Sequence, residues 1–318
     1  MTRRTSRHRL GAAAALILIP LAATATEGGI GRPITGQQIY SNAGIIPPTP
    51  GLVLTLGSVY FNGDIGNSRQ VSVGRVISSG LDVTASYNIA TLTYIWNTGP
   101  GRWNFASSIG LPVQYTRAEI GLTTTFRGSL SNSESNTHFA DLLINPIVAG
   151  YHFSETEHIA FSLPIYAPTG SYDPNRLANA GLNTWTFSPT VAYTRLFPGG
   201  SEFSTMAAID FYTRNKDTDY NNGAVFHIDA LWMTPIAPQW KLGVVGGWIE
   251  QLQKDTGPTA DRLNGFKGYS VGLGPIVSWG GKIGNQPAAF SARWVYDVDA
   301  KNRPKGNGVA ISLTLPFL

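Results

Sequence analysis

Residues 103–116 read WNFASSIGLPVQYT, and this stretch decides the fold. Every second position, from Trp103 through Ile109 to Tyr115, belongs to a mostly apolar set, while the positions between them are mostly small or polar. A period of two is the pattern of a β-strand with two unlike faces. Aromatic residues stand at both ends of the apolar set, as in a strand that crosses both interfaces of a membrane. The stretch therefore predicts one strand of a transmembrane β-barrel.

The same alternation recurs along the chain between segments rich in turn residues, and it predicts about twelve strands. The predicted strands are 51–61, 82–97, 102–116, 138–152, 157–166, 184–197, 202–213, 224–235, 240–252, 267–280, 287–299 and 308–318. In the second strand the outward set changes phase between Tyr87 and Leu92, which a β-bulge would explain. The predicted fold class is all-β, a transmembrane up-and-down antiparallel β-barrel of about 12 strands.

The connections between the predicted strands alternate between short and long. Short connections lie at 97–101, 153–156, 198–201, 236–239 and 280–284. Longer polar loops separate them, such as 117–137 and 168–183. Barrels of the bacterial outer membrane have short periplasmic turns and longer external loops. This rhythm, with an even number of strands, predicts that both ends of the barrel domain face the periplasm.

The N-terminus predicts export. Four arginines precede an apolar run from Leu10 to Ala23, which is too short to span a membrane, and Ala23-Thr24-Ala25 resembles a cleavage site. We predict a signal peptide at 1–25. Its loss removes four of the 23 basic residues (23 − 4 = 19) and leaves 19 against 19 acidic ones. A near-neutral mature chain gives no support to nucleic acid as a partner.

Two further regions follow the signal peptide. Residues 26–50 are rich in glycine and proline and do not alternate, so they form an N-terminal extension that is either periplasmic or lumenal. Residues 51–318 form the predicted outer-membrane barrel. The sequence has no cysteine, which excludes attachment to lipid through an N-terminal cysteine.

If the apolar faces meet lipid, the opposite faces line the lumen, and they carry charged and titratable residues of both signs. These candidates for lining the lumen or contacting a solute are Asp141, Asp210, Arg214, His227, Asp229, Lys241, Arg293 and Asp297. An inward arginine such as Arg293 can hold an anionic or hydroxylated solute. Alternatively it pairs with Asp141 or Asp229, because an unpaired buried charge is costly.

The sequence gives little support for catalysis, a metal or a cofactor. A lipid hydrolase needs a serine nucleophile and a histidine base within reach of each other. His138 has serines nearby, but without a nucleophile motif. His227 and Asp229 supply two metal ligands at most, and a catalytic metal site usually has three protein ligands. We predict no catalytic residues, no metal and no cofactor.

The chain resembles the family known as the MetA-pathway of phenol degradation, a group of outer-membrane barrels. The matching stretches are Ala25–Gly29, Phe139–Pro146, Tyr166–Pro174, Asn183–Thr190, Asn215–Gly223, Phe226–Asp229, Gln251–Asp255 and Gly272–Pro275. One departure is that the aromatic Phe317 is penultimate and Leu318 is last, whereas many barrels end in an aromatic residue.

The resemblance implies a channel in the outer membrane of a Gram-negative bacterium. Hydrophobic or aromatic small molecules would diffuse through it, and it would not be an enzyme of phenol metabolism. The partners expected on this basis are outer-membrane lipids and lipopolysaccharide, the solutes themselves and the barrel insertion machinery. A structural surface barrel with a lumen closed by side chains is the alternative, and an outer-membrane lipid hydrolase is a third reading.

Overall fold

The computed structural model describes residues 31–73, 76–124, 128–265 and 267–317. The predicted signal peptide lies outside the described residues. The described chain is almost entirely β-structure, with fifteen strands. They are β1 Gly51–Val73, β2 Val76–Ile95, β3 Trp103–Thr124, β4 Gly128–Phe139, β5 Leu142–His152, β6 Glu157–Ser162, β7 Ile165–Ala167, β8 Thr186–Phe187, β9 Thr190–Leu196, β10 Glu202–Tyr212, β11 Val225–Ala237, β12 Trp240–Gln251, β13 Tyr269–Ile283, β14 Gln286–Lys301 and β15 Lys305–Phe317.

These strands form one antiparallel sheet that closes on itself. The strands β4 and β5 occupy one position in the wall, as do β6 and β7, and β8 and β9, so the described part of the chain forms a twelve-stranded barrel. The closure lies between β1 and β15, which pair from Leu52 opposite Phe317 to Asp64 opposite Lys305. The predicted fold class is confirmed.

Some predicted boundaries are wrong at the end of the barrel with the long connections, which we predict to be external and call the external end. The first hairpin extends to Val73 on β1 and resumes at Val76 on β2, beyond the predicted limit at residue 61. The predicted loop 117–137 belongs largely to β3 and β4, which pair from Val113 opposite Phe139 to Thr124 opposite Gly128. Beyond the membrane a strand has no lipid to face, so the apolar alternation that marks a strand is lost there.

The predicted bulge in the second strand is also wrong. The strands β2 and β3 pair without a shift from Asp82 opposite Glu119 to Ile95 opposite Ala106. A side chain at Gly110 would meet Ile89, which places Ile89 on the inner face together with Tyr87, two residues away. The apparent change of phase arises because the inner face of β2 is itself partly apolar.

The two ends of the barrel differ as predicted. The turns at one end are short, such as 153–156 and 238–239, and both ends of the described barrel domain lie there. Longer connections at the other end include 168–185, 213–224 and 252–268, the last containing the one-turn helix α1, Pro258–Arg262. No helix among the described residues is long and apolar enough to cross a membrane.

Two clusters of buried apolar side chains lie inside the barrel. The first is at the external end, where β1, β2 and β3 contribute residues such as Phe61 and Leu81 that enclose Leu177 of the external loop 168–185. The second is deeper, where Ile39 of the N-terminal extension packs with Leu231, Val245 and other wall residues. The N-terminal extension is therefore part of the interior packing.

Candidate functional site

The described part of the N-terminal extension, residues 31–50, lies in the lumen. Its backbone N–H groups at Gly36 and Gln38 donate to the two carboxylate oxygens of Asp229, at 3.1 and 2.7 Å. The Thr35 hydroxyl lies 2.8 Å from that of Ser270. Because these partners stand on the inner faces of β11 and β13, the extension occupies the barrel interior at this height.

Arg293 binds the same part of the extension from the opposite side. Its guanidinium donates to the carbonyl oxygens of Gly36, at 3.2 Å, and Ile39. Asp229 and Arg293 together therefore satisfy donors and acceptors of one backbone turn. Both residues were predicted to face inward, and both are buried. Both side chains form their hydrogen bonds with the extension.

Asp141 forms a second attachment nearer the external end. Its carboxylate makes an ion pair with Arg32 at 2.8 Å and accepts hydrogen bonds from the backbone N–H groups of Gly170 and Leu182, both at 2.9 Å. The Asp141 side chain is fully buried. One carboxylate thus joins the extension, the barrel wall and the external loop 168–185.

A third attachment depends on Glu202, which sequence reasoning missed. This fully buried carboxylate accepts hydrogen bonds from the Ser41 hydroxyl at 2.7 Å and the Asn42 backbone N–H at 2.6 Å. Lys241, a predicted inward residue, forms an ion pair with it at 3.2 Å. Glu202 lies eight residues before Asp210 on β10, so the period of two that placed Asp210 inward also places Glu202 inward and could have identified it.

Glycines in the wall make room for the extension. Gly247 of β12 lies against Gly36 and Asp229, and any side chain there would overlap both of them. Gly36 itself has φ +70°, a left-handed conformation that glycine adopts without strain. The wall and the extension are therefore complementary in shape as well as in charge.

Asp210 and His227 lie together, without the arrangement of a hydrolase. The Asp210 carboxylate accepts a hydrogen bond from the Ser188 hydroxyl at 2.5 Å, and Nε2 of His227 is 3.4 Å from the same oxygen. The aspartate thus stands between the serine and the histidine, so the histidine is not placed to activate the serine. Among the described residues, no three histidine, aspartate or glutamate side chains are grouped as metal ligands.

The other two predicted residues differ in position. Asp297 is buried and accepts a hydrogen bond from the Gly306 N–H at 3.1 Å. Nearby Arg303, in the short loop after β14, donates to the Pro33 carbonyl at 2.7 Å, and burial lowers the pKa of its guanidinium. Arg214 does not line the lumen, because it lies beyond the end of β10, exposed, in an ion pair with Asp219 at 2.7 Å. Its prediction extended the alternation past the end of the strand.

Space remains between the extension and the wall formed by β1 and β2. The inward side chains Val53, Val59 and Ile89 are only partly buried, although the protein surrounds them. Tyr40 of the extension is 57% exposed. Partial exposure on an inward face indicates that the space beside these apolar side chains is not filled by the extension.

Comparison with solved structures finds one with a similar fold. The chain is similar to an outer membrane channel from Pseudomonas putida F1, with a TM-score of 0.69 and 14% identity, over 88% of this chain and 100% of that chain. Matches also include a FadL homologue from Pseudomonas aeruginosa (TM-score 0.38, 10% identity, 92% and 98% coverage) and the transport unit of the autotransporter AIDA-I from Escherichia coli (0.48, 9%, 84% and 90%). The first likeness shows a shared fold.

No curated protein sequence matches the chain. The sequence profile of the family described as "Putative MetA-pathway of phenol degradation" matches residues 64–313, which is well over half of the chain. That range covers the barrel from the external part of β1 to β15. On this match, the chain belongs to the MetA-pathway of phenol degradation family.

Proposed function

We propose that the protein is a channel in the outer membrane of a Gram-negative bacterium, through which hydrophobic or aromatic small molecules diffuse. The observation that supports this function most directly is the partly exposed apolar wall of Val53, Val59 and Ile89 beside the N-terminal extension. Transfer of apolar surface out of water is favourable, by about 25 cal/mol per Å². An apolar wall therefore favours an apolar solute over a hydrated ion.

The lumenal charges have a structural part in this proposal. Asp141, Asp229 and Arg293 are engaged by the extension and Glu202 by the extension and Lys241, so they hold the extension in place. The wall on the other side keeps its apolar character. The solute moves down its concentration gradient, and the barrel supplies no energy and no chemistry.

A charge placed on the apolar wall tests the proposal. In cells that lack the native protein, we expect Ile89→Lys to reduce uptake of a radiolabelled alkylbenzene to the level of the empty strain, because a lysine in the passage disfavours an apolar solute. Ile89→Leu, which keeps the apolar character, serves as the matched control and keeps wild-type uptake.

Whole cells are needed because the polysaccharide layer of the outer membrane is the barrier that a channel must bypass. Equal uptake by cells with the wild-type protein and by the empty strain would contradict the channel function. If purified protein also gave no conductance in planar bilayers, the structural barrel with a closed lumen would be the better reading.

A further inference from the structure

The barrel wall contains a cleft at its external end, between β14 and β15. These two strands pair only as far as Tyr296 opposite Asn307. Beyond this point β14 continues to Lys301 beside β13, while β15 continues to Lys305 beside β1. The side chain of Lys305 crosses the gap and donates to the carbonyl of Val298 at 2.8 Å.

This cleft opens into a cavity of about 440 Å³. Asn62, Asp64, Tyr296 and Asn307 are among the residues that line it. All four are exposed and lie on the side of the wall that faces away from the lumen. Ile65 and Arg303, which also line the cavity, are buried, so the cavity reaches through the cleft toward the inner face. Its size is within the range of about 300–1,000 Å³ typical of sites for small ligands.

The lining combines an aromatic ring with hydrogen-bonding groups. The Tyr296 ring is 43% exposed, and the Lys305 ammonium lies 5.9 Å from its centre. Asp64 is opposite Lys305 in the sheet, yet within the described residues its carboxylate has no ion pair or hydrogen bond. The amide oxygen of Asn307 accepts from the Trp294 indole at 3.0 Å, and its amide nitrogen has no partner in the same part of the chain.

These groups match the chemistry of a sugar. A hexose ring has an apolar face of C–H groups that packs on an aromatic ring, and hydroxyls at its edge that bind carboxylates and amides in pairs. A purely apolar ligand would leave Asp64 and Asn307 desolvated without a partner, which costs free energy. A small anion would leave the Tyr296 ring unused.

The height of the cavity indicates where the sugar comes from. Trp294 and Tyr60 lie on the outer face at the same height, because each is paired with Val309 of β15, one from either side. Tyr296 and Asn62 lie two residues further out on the same faces, roughly 7 Å along a strand. Aromatic residues mark the membrane interface. The cavity therefore lies just outside the apolar layer, where the headgroups of the outer leaflet begin.

We infer that this cleft binds a sugar of the lipopolysaccharide core. The ring packs on Tyr296, and its hydroxyls bind Asp64 and Asn307. The lipid part of the same molecule lies against the apolar face of β14, β15 and β1. The existence of this site does not depend on the proposed channel function.

Native mass spectrometry of the purified full-length protein in detergent tests the site. The probes are lipopolysaccharide that carries its core sugars, lipid A alone, and free core oligosaccharide. We expect core-bearing lipopolysaccharide to bind about tenfold more tightly than lipid A, equivalent to about 1.4 kcal/mol. In Tyr296→Ala and in Asn307→Ala this preference should be lost, so that core-bearing lipopolysaccharide and lipid A bind with about equal affinity.

Glu119→Ala is the matched control, because Glu119 is an acidic residue at the same height of the sheet but outside the cavity. Glu119 pairs with Asp82, and Asp82 pairs with Asp64. Its preference should equal that of the wild type. A heat-dependent shift in electrophoretic mobility verifies that each variant forms a barrel. Equal binding of lipid A and core-bearing lipopolysaccharide by the wild type, or an unchanged preference in both cavity variants, would overturn the inference. Free oligosaccharide binding as tightly as the lipid-linked form would overturn the lipopolysaccharide assignment.

Discussion

At the scale of single residues, Asp141 joins three parts of the chain. Its carboxylate pairs with Arg32 of the extension and accepts N–H groups from Gly170 and Leu182 of the external loop. The Asp141→Asn variant removes the charge but keeps the shape, and leaves Arg32 unpaired. We expect it to lower the free energy of unfolding by about 3 kcal/mol, the range for breaking a buried ion pair. Urea unfolding of the barrel in lipid vesicles measures this change.

The exposed pair between Arg117 and Glu119, at 3.5 Å, provides the comparison. Both side chains are accessible to solvent, so Glu119→Gln should change the free energy of unfolding by less than about 1 kcal/mol. Equal effects of Asp141→Asn and Glu119→Gln would show that burial does not strengthen the pair and that Asp141 is not an anchor.

Alternation predicted which charged residues face inward but not what they bind. It placed Asp229 and Arg293 correctly on inner faces, because both lie within long regular strands. It misplaced Arg214, because the period of two carries no information beyond the end of the strand. Glu202 shares the inner face of β10 with Asp210, so the same alternation could have identified it. The inward charged residues bind partners in the extension that are far away in sequence. Arg293 and Gly36, for example, are 257 residues apart. No local pattern encodes such a contact.

At the scale of elements, the N-terminal extension is the part that the sequence left open. It has neither a period of two nor a helical period, because its backbone follows the interior of a barrel. Its glycines and prolines equally fit a flexible tail. Only the wall glycines and buried carboxylates, seen together, show that residues 31–50 have a fixed place in the lumen.

The fit between β12 and the extension leads to a prediction at this scale. In Gly247→Ala the new methyl group would overlap Gly36 and Asp229, so the two hydrogen bonds to Asp229 would be lost. We expect the extension to leave its place more often. Because the chain has no cysteine, a single cysteine at buried Ala43 reports this motion. Its reaction with a membrane-impermeant maleimide should accelerate at least about tenfold, equivalent to about 1.4 kcal/mol.

The control for this experiment is Gly280→Ala on β13, where an added side chain would have nothing within 4 Å. With this change the cysteine at position 43 should react at the rate seen in the parent. Protection of the cysteine in Gly247→Ala would mean that the wall glycine is not needed to seat the extension.

At the scale of the whole molecule, the barrel is asymmetric from end to end. Short turns and the ends of the barrel domain are at one side, while the long connections and the first buried cluster are at the other. The cluster around Leu177 packs against β1, β2 and β3 at the side with long loops, and the extension packs against the wall behind it. The barrel therefore presents different surfaces to the two compartments, so the orientation determines which surface faces the outside of the cell.

Labelling of intact cells determines that orientation. Lys216 is exposed in the long connection after β10, and Ser154 is exposed in the short turn between β5 and β6. We expect a cysteine at Lys216 to react with a membrane-impermeant maleimide from outside the cell. A cysteine at Ser154 should react only after the outer membrane is permeabilised. Since the native chain contributes no thiol, each signal belongs to one position. Labelling of Ser154→Cys in intact cells would reverse the orientation, and the sugar-binding cleft between β14 and β15 would then face the phospholipid leaflet, where no lipopolysaccharide could reach it.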